Sequence, residues 1–235
     1  MEQFTLLRTL SFPDKCVMTK LEADTYQVSL KAEGKVKEIN GIPGYYLQNK
    51  AADSLKKVID ELLESVALSE REMVRFLVPR GCNPNTAKNP LGCDDRGIFN
   101  KDWAKRSYDD VLGNWNGRIS ADLKIKPSDT EAHLREKINK VLIANPSVVY
   151  SAAIPGASQH LLLAAIDVNS SFCRAASACE KTLMKYGWFR TVRDDRDHFT
   201  YLGYEEARLP NLGLVKSVLK PCDNIEYIYY LPGRR

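Results

Sequence analysis

The sequence of 235 residues lacks the features that mark several classes of protein. No apolar run approaches the roughly 20 residues that cross a bilayer, so we do not expect a transmembrane protein. The amino-terminal segment has no uninterrupted apolar stretch after a basic start, so it does not predict a signal peptide. The net charge is only +4, from 34 basic and 30 acidic residues. Because nucleic-acid-binding proteins concentrate Lys and Arg on one face, and no such block is present, we do not expect a nucleic acid as partner.

The six cysteines contain no C-x-x-C pair, which argues against a structural zinc ribbon. Cys82 and Cys93 flank a loop rich in Asn, Pro and Gly, and they could form a disulfide in an oxidising compartment. Cys173 and Cys179 are predicted to lie on one helix, where their spacing puts the Cα atoms about 9 Å apart, beyond the roughly 7 Å limit of a disulfide. We therefore expect no bond between them. Burial as small apolar side chains is the alternative for all six cysteines.

Apolar periodicity predicts three main helices. The clearest covers residues 47–68, where apolar residues recur every three and four positions. A second is predicted from Ser128, at a capping box S-D-T-E, to residue 145. A third is predicted for residues 171–186, ending at Gly187.

Extended segments are predicted for most of the rest of the chain. Residues 1–46 are predicted to form extended segments with turns, and a strand is predicted at 73–78. Residues 82–127 form a long excursion with one short helix near 101–112. Further strands are predicted at SVVYSAA (147–153), LLLAAIDV (161–168), WFRTV (188–192), HFTYLGY (198–204) and NIEYIYYL (224–231). Helices and strands mix without regular βαβ alternation, which favours the α+β class.

Few side chains in this sequence are candidates for metal chemistry, since there are only three histidines. His133 falls off the apolar stripe of its predicted helix and is expected to be exposed. Asp167 follows six apolar residues, and a buried carboxylate is costly unless it is paired, hydrogen-bonded or bound to metal. His160, Asp167 and His198 are the candidate ligands, because three His or Asp ligands with one open position are typical of catalytic zinc. Asp195 precedes His198 by three residues and could take a proton from a water molecule at the same metal.

These residues also carry a resemblance to a known family. S-Q-H-L-L-L-A-A-I-D, at 158–167, resembles the Ser-x-His-x6-Asp motif of the zinc D-Ala-D-Ala peptidases. That family includes D-alanyl-D-alanine carboxypeptidases, D,D-dipeptidases and phage L-alanyl-D-glutamate endopeptidases, and it shares its fold with the hedgehog signalling domain. Pro155-Gly156 fits the residues before the motif, and D-R-D-H-F at 195–199 resembles the second motif, Glu/Asp-x-x-His-Phe. The resemblance covers residues 40–203.

The resemblance implies a fold and a domain organisation. It implies an α+β domain of the hedgehog/D,D-peptidase kind, with an antiparallel sheet and flanking helices. Residues 1–235 would form a single metallopeptidase domain, with a core at 40–203, an inserted loop at 82–127 and a C-terminal extension at 204–235. The protein is expected to be a monomer.

The same resemblance implies roles for the site residues. His160, Asp167 and His198 would bind Zn²⁺, and Asp195 would act as the catalytic base and then protonate the leaving amine. Arg80 would stabilise the oxyanion or bind a substrate carboxylate; a surface arginine beside a turn is the alternative. Ser158 would bind substrate or orient a ligand, with a plain turn residue as the alternative.

The implied activity is hydrolysis of bonds to D-amino acids in peptidoglycan stem peptides. A D-alanyl-D-alanine carboxypeptidase is favoured by the P-G-x-S-x-H pattern and by the Tyr201-Leu202-Gly203 segment. An L-alanyl-D-glutamate endopeptidase is the alternative favoured by Asp195, where carboxypeptidases usually have Glu. A non-catalytic, zinc-stabilised binding module is the alternative favoured by Leu163, where the family usually has Gly. Stem-peptide substrates imply the cell envelope or secretion, and the cytoplasm is the alternative.

Overall fold

The computed structural model combines helices with small antiparallel sheets, which confirms the α+β class. The structure describes residues 17–39, 46–65, 107–150, 152–168, 173, 175–193, 195–219 and 226–233. The predicted strand at 73–78, Arg80, the Cys82–Cys93 pair and residues 82–106 of the excursion lie outside these ranges. Within them, none of the helices combines the length and apolar character needed to cross a membrane.

The elements follow one another as short helices and shorter strands. The helices are α1 (Lys20–Ala32), α2 (Asn49–Ser65), α3 (Tyr108–Asn116), α4 (Glu131–Ala144) and α5 (Ala178–Lys185). Short 3₁₀ helices cover Ala121–Leu123, Pro146–Tyr150 and Glu206–Leu212. The strands are β1 (Val36–Glu38), β2 (Tyr46–Gln48), β3 (Ala165–Asp167), β4 (Trp188–Phe189), β5 (His198–Tyr201), β6 (Leu214–Leu219) and β7 (Tyr227–Pro232).

Helix α2 confirms the strongest prediction from the sequence. Leu55, Val58 and Leu62, which recur at helical spacing, are completely buried, and Ile59 and Leu63 are partly buried against the same cluster. Helix α3 overlaps the short helix predicted near 101–112, but it lies later in the chain. It begins where Ser107 and Asp110 form a reciprocal capping box.

Helix α1 shows that the prediction of extended structure at 25–32 is wrong. Thr19 and Glu22 form a capping box that starts the helix. Its buried residues Ala23 and Leu30 are seven positions apart, which is two helical turns, whereas Val28 is exposed. The apparent alternation in this segment therefore does not correspond to a buried strand face.

Two helix starts and one predicted strand also differ from expectation. Helix α4 is capped by Thr130 and not by Ser128, because the Thr130 side chain accepts from the backbone N–H of His133. Helix α5 starts after Ser177, later than predicted, and ends just before Gly187, as expected. In place of the strand predicted at 147–153, the described residues form a 3₁₀ helix over Pro146–Tyr150 and a bend at Ala152, whose N–H bonds to the carbonyl of Val148.

A disulfide joins Cys173 and Cys179, which overturns the prediction that these cysteines share a helix and cannot bond. Their Cα atoms are 5.0 Å apart, well within disulfide reach. The physical reason is that α5 begins only at Ala178, so Cys173 lies before it. Ala176 has a φ of +60°, and this left-handed turn brings the chain back toward Cys173.

The sheets are all antiparallel. The central sheet has the strand order β3-β5-β4, and the separate pairs are β1-β2 and β6-β7. The β4–β5 pair and β7 match predicted strands, and β3 is the end of the predicted strand at 161–168. Strand β6 was not predicted.

The segment from residue 158 to residue 168 lies between two apolar clusters. Leu161, Leu162 and Ala164 pack into a cluster with α3 and α4. Ile166 and Val168 pack into a second cluster with α2 and α5. Because both ends of the segment are anchored in packed apolar surroundings, the polar side chains that it carries are held in fixed positions.

Candidate metal centre

The register of the central sheet brings two of the predicted ligands together. In the antiparallel pair of β3 and β5, Asp167 lies directly opposite His198. Residues directly opposite each other in such a pair project from the same face, with Cβ atoms about 4.5–5.5 Å apart. Strand pairing therefore brings Asp167 of the first motif next to His198 of the second motif.

The third ligand, His160, comes from a tight turn that we call the site turn, residues 158–163. The N–H of Leu162 bonds to the carbonyl of Ser158, and the N–H of Leu163 bonds to the carbonyl of His160. Strand β2 fixes the end of the turn, since the N–H of Gln48 donates to the carbonyl of Leu163 at 3.0 Å. These backbone bonds direct the His160 imidazole toward Asp167 and His198.

Two positions of this segment adopt left-handed backbone conformations. Gly156 has a φ of +85°, and a Cβ there would lie 2.3 Å from the backbone nitrogen of Met18, so only glycine fits. Leu163 has a φ of +56°. This is the position at which the resembled family usually carries Gly, and glycine adopts such a φ without the steric cost that a side chain imposes. The backbone conformation suited to glycine is thus present although the residue is leucine.

Three ligand atoms face one another across the site. His160 Nε2 is 3.0 Å from His198 Nδ1 and 3.2 Å from Asp167 Oδ1, and His198 Nδ1 is 3.4 Å from Asp167 Oδ1. Zinc binds His and Asp ligands at about 2.0–2.2 Å in tetrahedral geometry, for which two ligand atoms are about 3.4 Å apart. The three side chains therefore fit three corners of a tetrahedral zinc site and could hold a metal ion.

The site is buried and contains one carboxylate. His160, Asp167 and His198 are 1%, 2% and 4% exposed. Burial alone would raise the pKa of Asp167, but charge interactions and hydrogen bonds with His160 and His198 hold that pKa far below its usual range. Asp167 is therefore an anionic carboxylate, which is the form that binds a metal ion.

A second group of buried polar side chains contacts His198 from the side opposite the ligand atoms. We call Gln159, Thr191 and Thr200 the amide–threonine ring. The Gln159 side-chain oxygen lies 2.5 Å from His198 Nε2 and accepts from the Thr200 hydroxyl at 2.7 Å. The Thr191 and Thr200 hydroxyl oxygens are 2.8 Å apart. Sequence analysis missed these residues; the alternation of His198 and Thr200 along β5 is the signal that could have indicated one of them.

A buried arginine ties the turn before β5 to helix α5. Arg190 donates from Nε to the carbonyl of Arg196 at 2.7 Å, and its other nitrogens bond to the Glu180 carboxylate and to the carbonyl of Cys173. Burial lowers the pKa of the Arg190 guanidinium, and the Glu180 carboxylate opposes that shift. The position of the segment that carries Asp195 is therefore linked to the disulfide loop.

The remaining predicted site residues have mixed outcomes. Asp195 is half-buried on the turn before β5, where its N–H bonds to the carbonyl of Val192, and it is not part of the group of three. Its catalytic role stays a prediction. Ser158 is buried and helps to form the site turn through its carbonyl, and its substrate role also stays a prediction. His133 is exposed on α4, as predicted. Arg80 lies outside the described residues.

Comparisons with known proteins add no relative from which a function could be transferred. No family model, no curated protein and no solved structure matches this chain.

Proposed function

We propose that this chain is a zinc-dependent peptidase that hydrolyses bonds to D-amino acids in peptidoglycan stem peptides. The observation that carries the proposal is the buried set of His160 Nε2, Asp167 Oδ1 and His198 Nδ1, at separations suited to a tetrahedral zinc ion. Two imidazoles and one carboxylate are also the donor types that zinc accepts in catalytic sites, which keep a fourth position open.

The proposed chemistry divides between the metal and Asp195. Zinc bound by the three ligands would supply Lewis-acid activation of a water molecule and of the scissile carbonyl. Asp195 takes the proton from that water and then donates it to the leaving amine, so that one water molecule is consumed for each bond broken. The hydrogen bond from Arg190 to the carbonyl of Arg196, the residue after Asp195, supports a fixed position for this turn.

A D-alanyl-D-alanine carboxypeptidase is the favoured form of this activity. The P-G-x-S-x-H pattern supports it. Its glycine, Gly156, has a left-handed φ and lies so close to Met18 that no larger residue fits, which explains why glycine stands at this position. In this proposal Arg80 and Ser158 bind the substrate, and the enzyme works as a monomer in the cell envelope or after secretion.

Two other functions rest on single residues. Asp195 in place of Glu favours an L-alanyl-D-glutamate endopeptidase. Leu163 in place of Gly favours a zinc-stabilised binding module without turnover. The left-handed φ of Leu163 weakens that second argument, because the turn keeps the backbone conformation that glycine would adopt.

Mass spectrometry of a synthetic stem pentapeptide incubated with zinc-loaded protein tests the proposal. We expect loss of one terminal D-Ala from the peptide. Asp195→Ala should lower the rate by about 10²–10⁴-fold while zinc stays bound, because a general acid–base group contributes about that factor. Asp60→Ala, which removes an exposed carboxylate from α2, is the matched control and should cleave like the wild type.

The other outcomes discriminate between the candidate functions. A cut after L-Ala would replace the carboxypeptidase by the endopeptidase. An intact peptide with one zinc per chain would favour the binding module. Hydrolysis by Asp195→Ala at the wild-type rate would refute the assignment of the base.

A further inference from the structure

We propose that the amide–threonine ring is a positioning device that makes His198 bind zinc through Nδ1, and that Gln159 is its central residue. This inference rests on the proposed function, because it concerns the same metal centre. It assigns a role to Gln159, at the unspecified position between Ser158 and His160 in the first motif, and to Thr191 and Thr200, which lie outside both motifs.

The direction of the hydrogen bonds decides which imidazole nitrogen carries the proton. The side-chain oxygen of Gln159 can only accept a hydrogen bond, and it lies 2.5 Å from His198 Nε2. His198 Nε2 therefore donates. In the neutral imidazole the lone pair is then on Nδ1, the atom that lies 3.0 Å from His160 Nε2 and 3.4 Å from Asp167 Oδ1. The nitrogen available for a metal ion is thus the one that faces the other ligands.

The two threonines fix the orientation of the Gln159 amide. Thr200 donates its hydroxyl proton to the amide oxygen, and the amide nitrogen lies 3.4 Å from the Thr191 hydroxyl as its donor. When Thr191 donates to Thr200, across 2.8 Å, each side chain of the ring gives one hydrogen bond to another member and receives one from another member, and Gln159 accepts a further one from His198. Reversing the amide would put an N–H group against His198 and would break this circuit.

The fold places the ring where it can act on the ligand without contacting the metal. Thr200 follows His198 by two positions in β5, so both side chains project from the same face of the strand. Gln159 directly precedes His160 in the site turn, and Thr191 follows β4. The side chains of the ring are 7%, 3% and 0% exposed for Gln159, Thr191 and Thr200, so water does not compete for these bonds.

Zinc affinity is the property that this arrangement should change. Groups that hydrogen-bond to a ligating histidine fix its tautomer and orientation, and their loss costs about 10–100-fold in metal affinity. Gln159→Leu keeps the approximate size of the side chain and removes the nearer acceptor of His198 Nε2, the other being the Thr200 hydroxyl at 3.2 Å, so we expect a loss in that range. Gln159→Glu keeps an oxygen acceptor and should bind zinc as tightly as the wild type or more tightly. Thr200→Val leaves the Gln159 acceptor in place and should weaken binding by less than Gln159→Leu.

Competition titration with a chromophoric chelator measures the zinc Kd of each variant, and urea unfolding of the metal-free proteins measures their stability. Asn116→Leu is the matched control, since it removes another amide, one that donates to the carbonyl of Ile125 at 2.7 Å and accepts from its N–H at 2.9 Å, away from the site turn. This control should lose stability but keep its zinc Kd. A purely structural role for Gln159 would give the same result for Gln159→Leu and would overturn the inference.

Failure of the inference and failure of the proposed function give different results. If the wild type binds no zinc, the proposed function fails and the inference fails with it. If the wild type binds zinc tightly and Gln159→Leu has the same Kd, only the inference fails. If Gln159→Leu does not fold, the order of Kd values decides: wild-type affinity in Thr200→Val, or weaker binding in Gln159→Glu than in Thr200→Val, overturns it.

Discussion

The disulfide between Cys173 and Cys179 should make a measurable contribution to the stability of the protein. The bond links Cys173, which follows the candidate ligand Asp167 in the chain, to Cys179 in the first turn of helix α5. Both cysteines are completely buried in the apolar cluster that also contains Ile166 and Phe199. The carbonyl of Cys173 accepts from the Arg190 guanidinium, so the loop is also part of the hydrogen-bonded support of the site.

The size of the effect follows from the length of the loop. In the chain-entropy description, a cross-link with a sequence separation of 6 stabilises the folded state by about 2.4 kcal/mol at 25 °C. For a protein of this size, 1 kcal/mol corresponds to about 2–4 °C in Tm, so the expected decrease is about 5–10 °C. We expect this decrease for the double variant Cys173→Ala/Cys179→Ala.

Urea and thermal unfolding of the wild type and the double variant, each with and without a dithiol reductant, measure this contribution. The reductant should lower the stability of the wild type toward that of the double variant. Any effect of the reductant on the double variant would report disulfides among the other four cysteines. Equal stability of the oxidised wild type and the double variant would refute the reasoning. So would alkylation of both Cys173 and Cys179 as free thiols in the oxidised protein.

Three further substitutions test local features of the fold by their effect on the free energy of unfolding. Leu163→Gly should be more stable than Leu163→Ala by about 1 kcal/mol, the reverse of the usual order, because the φ of +56° favours glycine; the usual order would contradict the left-handed turn. Gly156→Ala should destabilise by about 1–3 kcal/mol, because its Cβ would meet the backbone of Met18; an unchanged urea midpoint would contradict that contact. Burial raises the pKa of Asp129, but hydrogen bonds from the Lys126 N–H and the Lys137 ammonium outweigh burial and lower that pKa. The ionised Asp129 carboxylate therefore stabilises the fold above pH about 4, and this stabilisation is lost as the pH falls below that value. Asp129→Asn should therefore lower stability at pH 7 and have a smaller effect near pH 2, and equal effects at both pH values would contradict this assignment.

The ligand set could be predicted from the sequence because its residues occur in short motifs. His160 and Asp167 lie on one segment, and His198 is separated from Asp167 by a single helix and strand. Asp167 follows an apolar run and His198 precedes one. The two residues lie opposite each other because the antiparallel strands β3 and β5 pair in that register.

The groups around the ligands could not be predicted in the same way. The contact of Arg190 with the carbonyl of Cys173 joins residues 17 positions apart, and the segment between Cys173 and helix α5 contains a left-handed Ala176. No local pattern in the sequence indicates a left-handed alanine, because this conformation is imposed by tertiary packing. The ring partners of Gln159 likewise come from two other strand regions.

Capping residues indicated the helix start correctly at one helix and two residues too early at another. At α1, the capping box of Thr19 and Glu22 marks the helix start, whereas the alternation in residues 25–32 wrongly favoured a strand. At α4, the Ser128 capping box predicted the helix start two residues too early, because Thr130 is the residue whose side chain reaches the N–H of His133. The capping-box pattern favours Ser128, which has a glutamate three positions later, whereas the third residue after Thr130 is a histidine.

The zinc content of the purified protein tests the central claim most directly. Elemental analysis after loading with zinc and dialysis against metal-free buffer should find one zinc per chain in the wild type. His160→Ala should retain none, because it removes one of three ligands. His133→Ala, which replaces the exposed histidine of α4, should still retain one zinc. A wild type without zinc, or equal zinc in His160→Ala and the wild type, would contradict the account.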